Sequence, residues 1–288
     1  MSNVSFLGLG VMGYPIAGHL ARAGLKVTVF NRTIEKAKKW KEEYGCFFEP
    51  NVSKAVKESD FVFSCVGNDN DLREIIYGEE GAFKNMKKGS CFIDHTTASS
   101  NIANELQMKA NDLDIGFIDA PVSGGEIGAI NGKLTIMCGG RESIFKRALP
   151  LMKKYSQSCT LIGSSGAGQL AKMVNQICIA GLVQALSEGI NFAEKNGLDT
   201  KKVLEAISKG AAGSWQLENR GKTMVDGKFD FGFAVELMRK DLGICLDHAE
   251  KLNISLPITA IVNQFYAEVQ DSGGARFDTS SLITRFNK

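Results

Sequence analysis

Only three histidines, His19, His95 and His248, occur in the 288 residues, and none has metal-ligand spacing to another histidine or to a cysteine. A zinc centre is therefore not expected. The seven cysteines (Cys46, Cys65, Cys91, Cys138, Cys159, Cys178 and Cys245) are odd in number, widely spaced and without a CxxC pair. That pattern excludes a disulfide framework and a thioredoxin-type motif. Most lie among apolar neighbours, as in Phe63-Ser64-Cys65-Val66 and Ser90-Cys91-Phe92-Ile93. A free thiol there packs as a small hydrophobe and implies a reducing compartment. Neither charge dominates: 34 Lys+Arg face 32 Asp+Glu, a net +2. The concentrated basic surface of a nucleic-acid binder is missing. Internal repeats and low-complexity tracts are absent, and Met1-Ser2-Asn3 runs into an apolar stretch without a basic leader. The expectation is a cytoplasmic, metal-free protein with neither a nucleic acid nor a membrane as partner.

What is present is ordinary soluble-protein composition, 44% hydrophobic and 23% charged. The length fits one large domain or two modest ones. Over residues 1–162, short β-type runs alternate with helical windows. Strands are expected at Val4–Leu7, Lys26–Phe30, Cys46–Phe48, Phe61–Val66, Cys91–Asp94, Ile115–Ala120, Leu134–Cys138 and Cys159–Ile162, with helices such as Val11–Ala23 and Arg141–Lys154 between them. This alternation predicts an α/β, doubly wound, largely parallel sheet covered on both faces. The glycine-rich stretch 163–168 predicts a turn. Beyond it the pattern is helical throughout, at 169–195, 199–210, 214–225, 234–251 and 257–271, with Pro257 in the first turn of the last helix. The expected division is a βα domain at 1–162 and a helical domain at 163–288, with a cleft between them. Leu170–Ser187 is apolar enough to resemble a membrane span. Lys172, Asn175, Gln176 and Gln184 interrupt it, and charge at that depth is costly in lipid. A helix buried between domains is the better reading. The tail from Asp271, rich in Ser, Gly and Thr, reads as a loop or an interface segment.

Phe6-Leu7-Gly8-Leu9-Gly10-Val11-Met12-Gly13 places GxGxxG between a strand and a helix. Gly8 permits the tight turn, Gly10 lets backbone approach a pyrophosphate, and Gly13 lets helix pack on strand, the arrangement of a Rossmann dinucleotide site. The helix N-terminus adds free N–H groups and a positive dipole. After the second strand, where NAD sites usually carry a carboxylate for the ribose 2′-hydroxyl, stand Asn31, Arg32 and Thr33. A guanidinium there suits a 2′-phosphate, so NADP(H) is favoured, with NAD(H) the alternative. Ser123-Gly124-Gly125 offers successive N–H groups to a carboxylate. Lys172, Asn175 and Gln176 share one helical face. From helix geometry alone, Lys172 either extends to solvent or carries out proton transfer in the cleft.

Four ordered motifs span essentially the whole chain: the glycine-rich turn, Asp119-Ala120-Pro121-Val122-Ser123-Gly124-Gly125, Gly168-Gln169-Leu170-Ala171-Lys172-Met173-Val174-Asn175-Gln176, and Lys240-Asp241-Leu242. In these the chain resembles the β-hydroxyacid dehydrogenases, the group of 3-hydroxyisobutyrate dehydrogenase, tartronate semialdehyde reductase and glyoxylate/succinic semialdehyde reductases. The resemblance implies a Rossmann domain joined by a long helix to a helical domain through which homodimers or homotetramers form. It makes Lys172 the proton donor to a carbonyl receiving hydride. Ser123, Gly124 and Gly125 become the substrate-carboxylate loop, Asn175 the residue orienting substrate and lysine, and Phe233 and Asp241 pocket positions. Gly8, Leu9, Gly10, Val11, Met12 and Gly13, with Asn31, Arg32, Thr33, Val66, Gly67, Thr96 and Lys240, become cofactor positions. Gly67 departs from the Leu-Pro that relatives often carry at 66–67.

The implied function is NADP(H)-dependent interconversion of a short carboxylate-bearing aldehyde and its hydroxy acid. An NAD-dependent 3-hydroxyisobutyrate-type dehydrogenase is the alternative within the family, and a non-catalytic dinucleotide-binding module the alternative outside it. Lys172 argues against the module and against imine reductases, which replace that lysine. 6-Phosphogluconate dehydrogenases are much longer. Ser214, Trp215 and Phe233 are expected to shape the pocket, with Trp215 equally suited to a core or an interface.

Overall fold

The computed structural model describes residues 2–287. Two compact units emerge, 1–172 and 173–288. The division falls within a long helix.

In the first unit, β1 (Asn3–Leu7), α1 (Gly13–Arg22), β2 (Lys26–Phe30), α2 (Ile34–Tyr44), β3 (Phe47–Phe48), α3 (Val52–Val56), β4 (Phe61–Ser64), α4 (Asp69–Tyr77), α5 (Ala82–Asn85), β5 (Cys91–Asp94) and α6 (Ser100–Asp112) follow in order. Next come β6 (Gly116–Asp119), β7 (Val122–Ser123), α7 (Gly125–Ile130), β8 (Leu134–Gly140), α8 (Glu142–Met152), β9 (Ser156–Gly163) and the start of α9 (Ala167–Lys195). The strands are ordered β3-β2-β1-β4-β5-β6-β8-β7, with β9 added beside β8. Pairing is parallel from β3 to β6, antiparallel where β8 meets β6 and β7, and parallel again between β8 and β9.

Alternation along the strands separates two cores. Phe6, Phe63, Ile93 and Ile118 point to one face, against Ile16 and Leu20 of α1, Trp40 of α2 and Ala148 of α8. Leu7, Val62, Phe92 and Phe117 point to the other, against Leu72 of α4 and Ile102 and Leu106 of α6. Burial of both faces explains why these strands read as continuous apolar runs.

The second unit continues α9 and adds α10 (Thr200–Ile207), α11 (Trp215–Val225), α12 (Val235–Lys251) and α13 (Pro257–Val269). Two apolar clusters hold it. One gathers Ala180, Val183, Met238, Leu242, Val262 and Tyr266, the other Ile190, Leu204, Leu217, Met224, Phe229 and Ile283. By length and composition α9 could cross a membrane. Its buried residues instead serve the protein, Ala180 and Val183 in the core just named.

The tail is not a loop. A π-helical turn at Gln270–Gly274 leads to a 3-10 segment at Thr279–Asn287, and Asp278, Ser280, Ser281 and Leu282 are fully buried. Asp278 explains why. It forms an ion pair with Arg220 Nε at 3.1 Å. It also accepts hydrogen bonds from Phe233 N and from Ser280 N and Oγ. An isolated antiparallel bridge, Ala234 to Asp278, is the one extended pairing among the described residues of this unit. Burial of the thiols is likewise uneven: Cys91, Cys138 and Cys245 are buried, and Cys178 on α9 is exposed.

Candidate active site

At the carboxyl end of β1 the glycines divide their tasks. Gly8 has φ +100°, and a Cβ there would collide with the Cys65 carbonyl; at Gly13 it would collide with Gly8 O. These two are required by packing. Around Gly10 no atom outside its own chain neighbours lies within 4 Å of where a Cβ would sit, so the backbone is open to a ligand. Met12 makes no side-chain cap at α1, and no acidic residue occupies the first turn. The helix N-terminus therefore presents N–H groups and a positive end without a competing carboxylate. These features fit a dinucleotide pyrophosphate.

Leu9 is buried, and its N–H donates to Asn31 Oδ1 at 2.8 Å while Asn31 Nδ2 donates to Thr33 O. Leu9 and Asn31 thus shape the turn from within. Val11 is half exposed, and Arg32 and Thr33 are exposed at the end of β2. Arg32 Nη1 lies 3.5 Å from Asp71 Oδ1. Asp71 Oδ2 accepts from Gly67 N at 3.2 Å.

Thr96 is fully buried with every polar group engaged. Its N–H donates to Asp94, its hydroxyl accepts from Val66 N at 3.0 Å, and its carbonyl accepts from Gln169 Nε2 at 2.8 Å. Thr96 supports the turn, and Thr97 beside it is only half buried.

Asp119 is the hub that sequence reasoning left unassigned. It ends β6, four residues before Ser123, and is fully buried. Oδ1 accepts from Gly166 N at 2.8 Å, and Oδ2 from Gln169 N at 3.0 Å. The start of α9 is thereby capped from the strand that leads into the Ser123 turn. Burial pushes the Asp119 carboxyl up, and these backbone donors pull it back down. Glycine at 139 makes room, since a Cβ there would stand 2.6 Å from Oδ1. Gln169 adds a second tie, because Oε1 accepts from Ala98 N at 3.0 Å while Nε2 holds Thr96 O. Lys172 follows Gln169 by three residues and is 7% exposed.

In the turn after Ser123, Gly124 and Gly125 have φ of +127° and +61°, conformations that glycine alone adopts readily. Ser123 pairs with Thr135 of β8 in β7, and α7 begins at Gly125 without a side-chain cap. His19 of α1 contacts the carbonyls of Ala129 and Ile130 through Nε2. The glycine turn's helix is thus tied to the helix that follows the Ser123 turn.

His95 is buried with Nδ1 2.6 Å from Ala120 O and Nε2 2.8 Å from the Tyr155 hydroxyl. Burial lowers its pKa to about 4. The neutral ring donates through Nδ1 and accepts at Nε2, fixing the chain just before Pro121.

In the second unit, Asn175 Nδ2 donates to Gln176 Oε1 at 2.7 Å, and Gln176 Nε2 donates to Asp241 Oδ2 at 2.6 Å. Lys240 Nζ lies 3.1 Å from Asp241 Oδ1. Asn175, Lys240 and Asp241 therefore form one chain of polar contacts through Gln176. Phe233 is held by its backbone to Asp278 and Thr279. Ser214 caps α11 by accepting from Leu217 N. Trp215 is 47% exposed and lies over the Arg220 guanidinium. Among the described residues no group of three or more His, Cys, Asp or Glu is placed to hold a metal ion.

Residues 3–163 match the family described as the NAD-binding domain of 6-phosphogluconate dehydrogenase. Residues 166–286 match the NAD-binding domain of NADP-dependent 3-hydroxyisobutyrate dehydrogenase. An uncharacterized oxidoreductase of Shewanella frigidimarina is 54% identical, the match covering 100% of this chain and 99% of that one. The 2-hydroxy-3-oxopropionate reductase of Escherichia coli is 36% identical over 98% of this chain and 96% of its own. The 3-hydroxyisobutyrate dehydrogenase of Mycobacterium tuberculosis, solved with L-serine, superposes with a TM-score of 0.90 at 28% identity, covering 100% of both chains.

Proposed function

The chain belongs to the 3-hydroxyisobutyrate dehydrogenase family of NAD(P)-dependent oxidoreductases, and from that premise we propose that it reduces a short carboxylate-bearing aldehyde with NADPH. A semialdehyde or glyoxylate is the substrate class, and the hydroxy acid is the product. The observation that carries this reading is the placement of Lys172, buried one helical turn beyond a helix start that Asp119 anchors to the strand feeding the Ser123–Gly125 turn.

When bound, the reduced nicotinamide supplies hydride. The residues of this chain do the rest. The Ser123–Gly125 turn receives the substrate carboxylate through backbone N–H groups and the Ser123 hydroxyl. The Lys172 ammonium stabilises negative charge developing on the carbonyl oxygen and passes a proton to it. Asn175 orients the substrate from the next turn of the same helix. Gly10 and the α1 N-terminus receive the pyrophosphate, and Arg32 and Thr33 the 2′-phosphate. The relatives support a carboxylate substrate: one is named a 2-hydroxy-3-oxopropionate reductase, and the L-serine solved with another carries a carboxylate and a β-hydroxyl.

The test is NADPH oxidation by the purified protein, followed by near-ultraviolet absorbance. Succinic semialdehyde, glyoxylate, tartronate semialdehyde and methylmalonate semialdehyde are supplied separately, with NADH as the matched control. Rapid oxidation of NADPH with one of them is the expected outcome. Absence of turnover with all four and either cofactor would reject the carboxylate-aldehyde assignment.

A further inference from the structure

Arg32 and Asp71 come from opposite sides of the glycine-rich turn. In the sheet β1 lies between β2 and β4. Arg32 follows β2, and Asp71 lies in the first turn of α4, which follows β4. Adjacent strands are about 4.8 Å apart, so the two outer strands are separated by roughly 10 Å. The turn itself touches both sides. Leu9 N donates to Asn31 on the β2 side, and Gly8 packs against the Cys65 carbonyl on the β4 side. The Arg32–Asp71 ion pair, at 3.5 Å, therefore reaches across the carboxyl end of β1.

Asp71 is not placed by Arg32 alone. Its own N–H donates to the Asn68 side chain that caps α4, and its Oδ2 accepts from Gly67 N at 3.2 Å. A Cβ at residue 67 would collide with that same Oδ2. Gly67 thus supplies both the donor and the space that the carboxylate needs, and a proline there would supply neither. The Asp71 side chain is 27% exposed against 80% for Arg32. Of the two partners, the carboxylate is the more enclosed and the guanidinium the more exposed.

We propose that Asp71 is a cofactor-selectivity residue: it holds the Arg32 guanidinium and so lowers the preference for a 2′-phosphorylated dinucleotide over the unphosphorylated one. This rests on the reading that Arg32 faces the 2′ position. Two negative groups then compete for one guanidinium. To engage the phosphate, Arg32 must give up Asp71 or share its charge between carboxylate and phosphate. Toward a dinucleotide with a free 2′-hydroxyl the competition vanishes, and Arg32 stays with Asp71.

The test is direct titration of purified protein with NADPH and NADH, read by nucleotide fluorescence without substrate. Asp71→Asn keeps an acceptor for Gly67 N and removes the charge. It is expected to raise the ratio of NADPH to NADH affinity by about threefold to tenfold. Gly67→Ala, which displaces the carboxylate sterically, moves the ratio in the same direction. In an Arg32→Ala background, Asp71→Asn shifts the ratio less than about twofold, because the effect runs through the guanidinium. An unchanged or lowered ratio in Asp71→Asn, or an equal rise without Arg32, overturns the proposal while leaving the oxidoreductase reading intact. Failure of the unmodified protein to bind either nucleotide overturns both.

Discussion

The Asp119 carboxylate accepts the main-chain N–H of Gln169 at 3.0 Å from a strand fifty residues earlier in the chain. It is shared with Gly166 N, so a single buried side chain fixes the start of the helix that carries Lys172. Asp119→Ala strands those donors, each costing about 1–3 kcal/mol when buried and unpaired. Denaturant unfolding should show that loss. Asp119→Asn retains the shape and one acceptor. It is expected to lower kcat for aldehyde reduction more than it weakens NADPH binding. Equal losses in both would assign Asp119 to general folding alone.

Lys172→Ala is expected to lower kcat by about 10²- to 10⁴-fold, the usual span for loss of a general acid. Nucleotide titration should find NADPH affinity retained. Near-normal turnover in this variant would reject Lys172 as the proton donor.

Gly10 and Gly13 differ in what surrounds them. Gly10→Ala meets open space and should leave the thermal midpoint nearly unchanged while weakening nucleotide binding. Gly13→Ala meets Gly8 O and should destabilise the protein before binding can be measured. Melting curves and titrations on the pair distinguish an open ligand approach from a packing requirement.

Asp94 and His95, adjacent and buried, respond to pH in opposite senses. Burial pushes the Asp94 carboxyl from 3.8 up to about 7, despite hydrogen bonds from Ser64 and Thr96 that favour its charged form. The native state therefore keeps this proton where the unfolded chain releases it. The contribution to stability is full below about pH 4 and lost as pH rises through 7. His95, lowered from 6.5 to about 4, contributes above about pH 6.5 and loses that contribution as pH falls through 4. Asp94→Asn removes the first response only. Relative to the unmodified protein, the variant should gain stability as pH rises from about 4 to 7, by up to tenfold in the folding constant per pH unit. Parallel stability curves for the two proteins across that range would refute the assignment.

Arg220 and Asp278 form a buried ion pair, with side chains 7% and 1% exposed. Arg220 is also flanked by the rings of Trp215 and Phe231, at 4.9 and 5.0 Å. Removing one partner leaves a buried charge, and Asp278→Ala should destabilise the second unit by about 3–5 kcal/mol. A double change, Arg220→Met with Asp278→Asn, should cost less than the sum of the single changes in urea unfolding.

The parallel strands were readable because both of their faces are buried, as in Phe61-Val62-Phe63 and Cys91-Phe92-Ile93. The apolar run Phe61–Val66 is longer than the strand it forms. β4 ends at Ser64, where Cys65 and Val66 turn against the glycine loop while keeping strand-like composition. β7 is two residues long and has no periodicity to read. α7, in Gly-Glu-Ile-Gly-Ala-Ile, begins from a left-handed glycine pair that reads as a turn. At the site, the glycine turn and Lys172 carry local signals. Asp119, Asp71 and Asp278 do not, because the partners that give them meaning lie tens of residues away. The bonds that enclose Thr96, from Val66 N and Gln169 Nε2, join it to residues 30 and 73 positions away and leave no local mark in the sequence. The tail hides its structure for the same reason: its Ser and Thr residues resemble a loop until Arg220 is brought to Asp278.

The burial of Asp278 and the residues after it also bears on biosynthesis. A chain emerging from the ribosome can assemble the βα unit once β9 has been made, since its strands pair only with one another. The helical unit has no such early completion. Arg220, translated 58 residues before its carboxylate partner, and the cluster that includes Ile283 must wait until residues 278–283 have been made. Nascent α9 to α13 therefore pass through a period with apolar faces uncovered, in which chaperone binding acts most strongly.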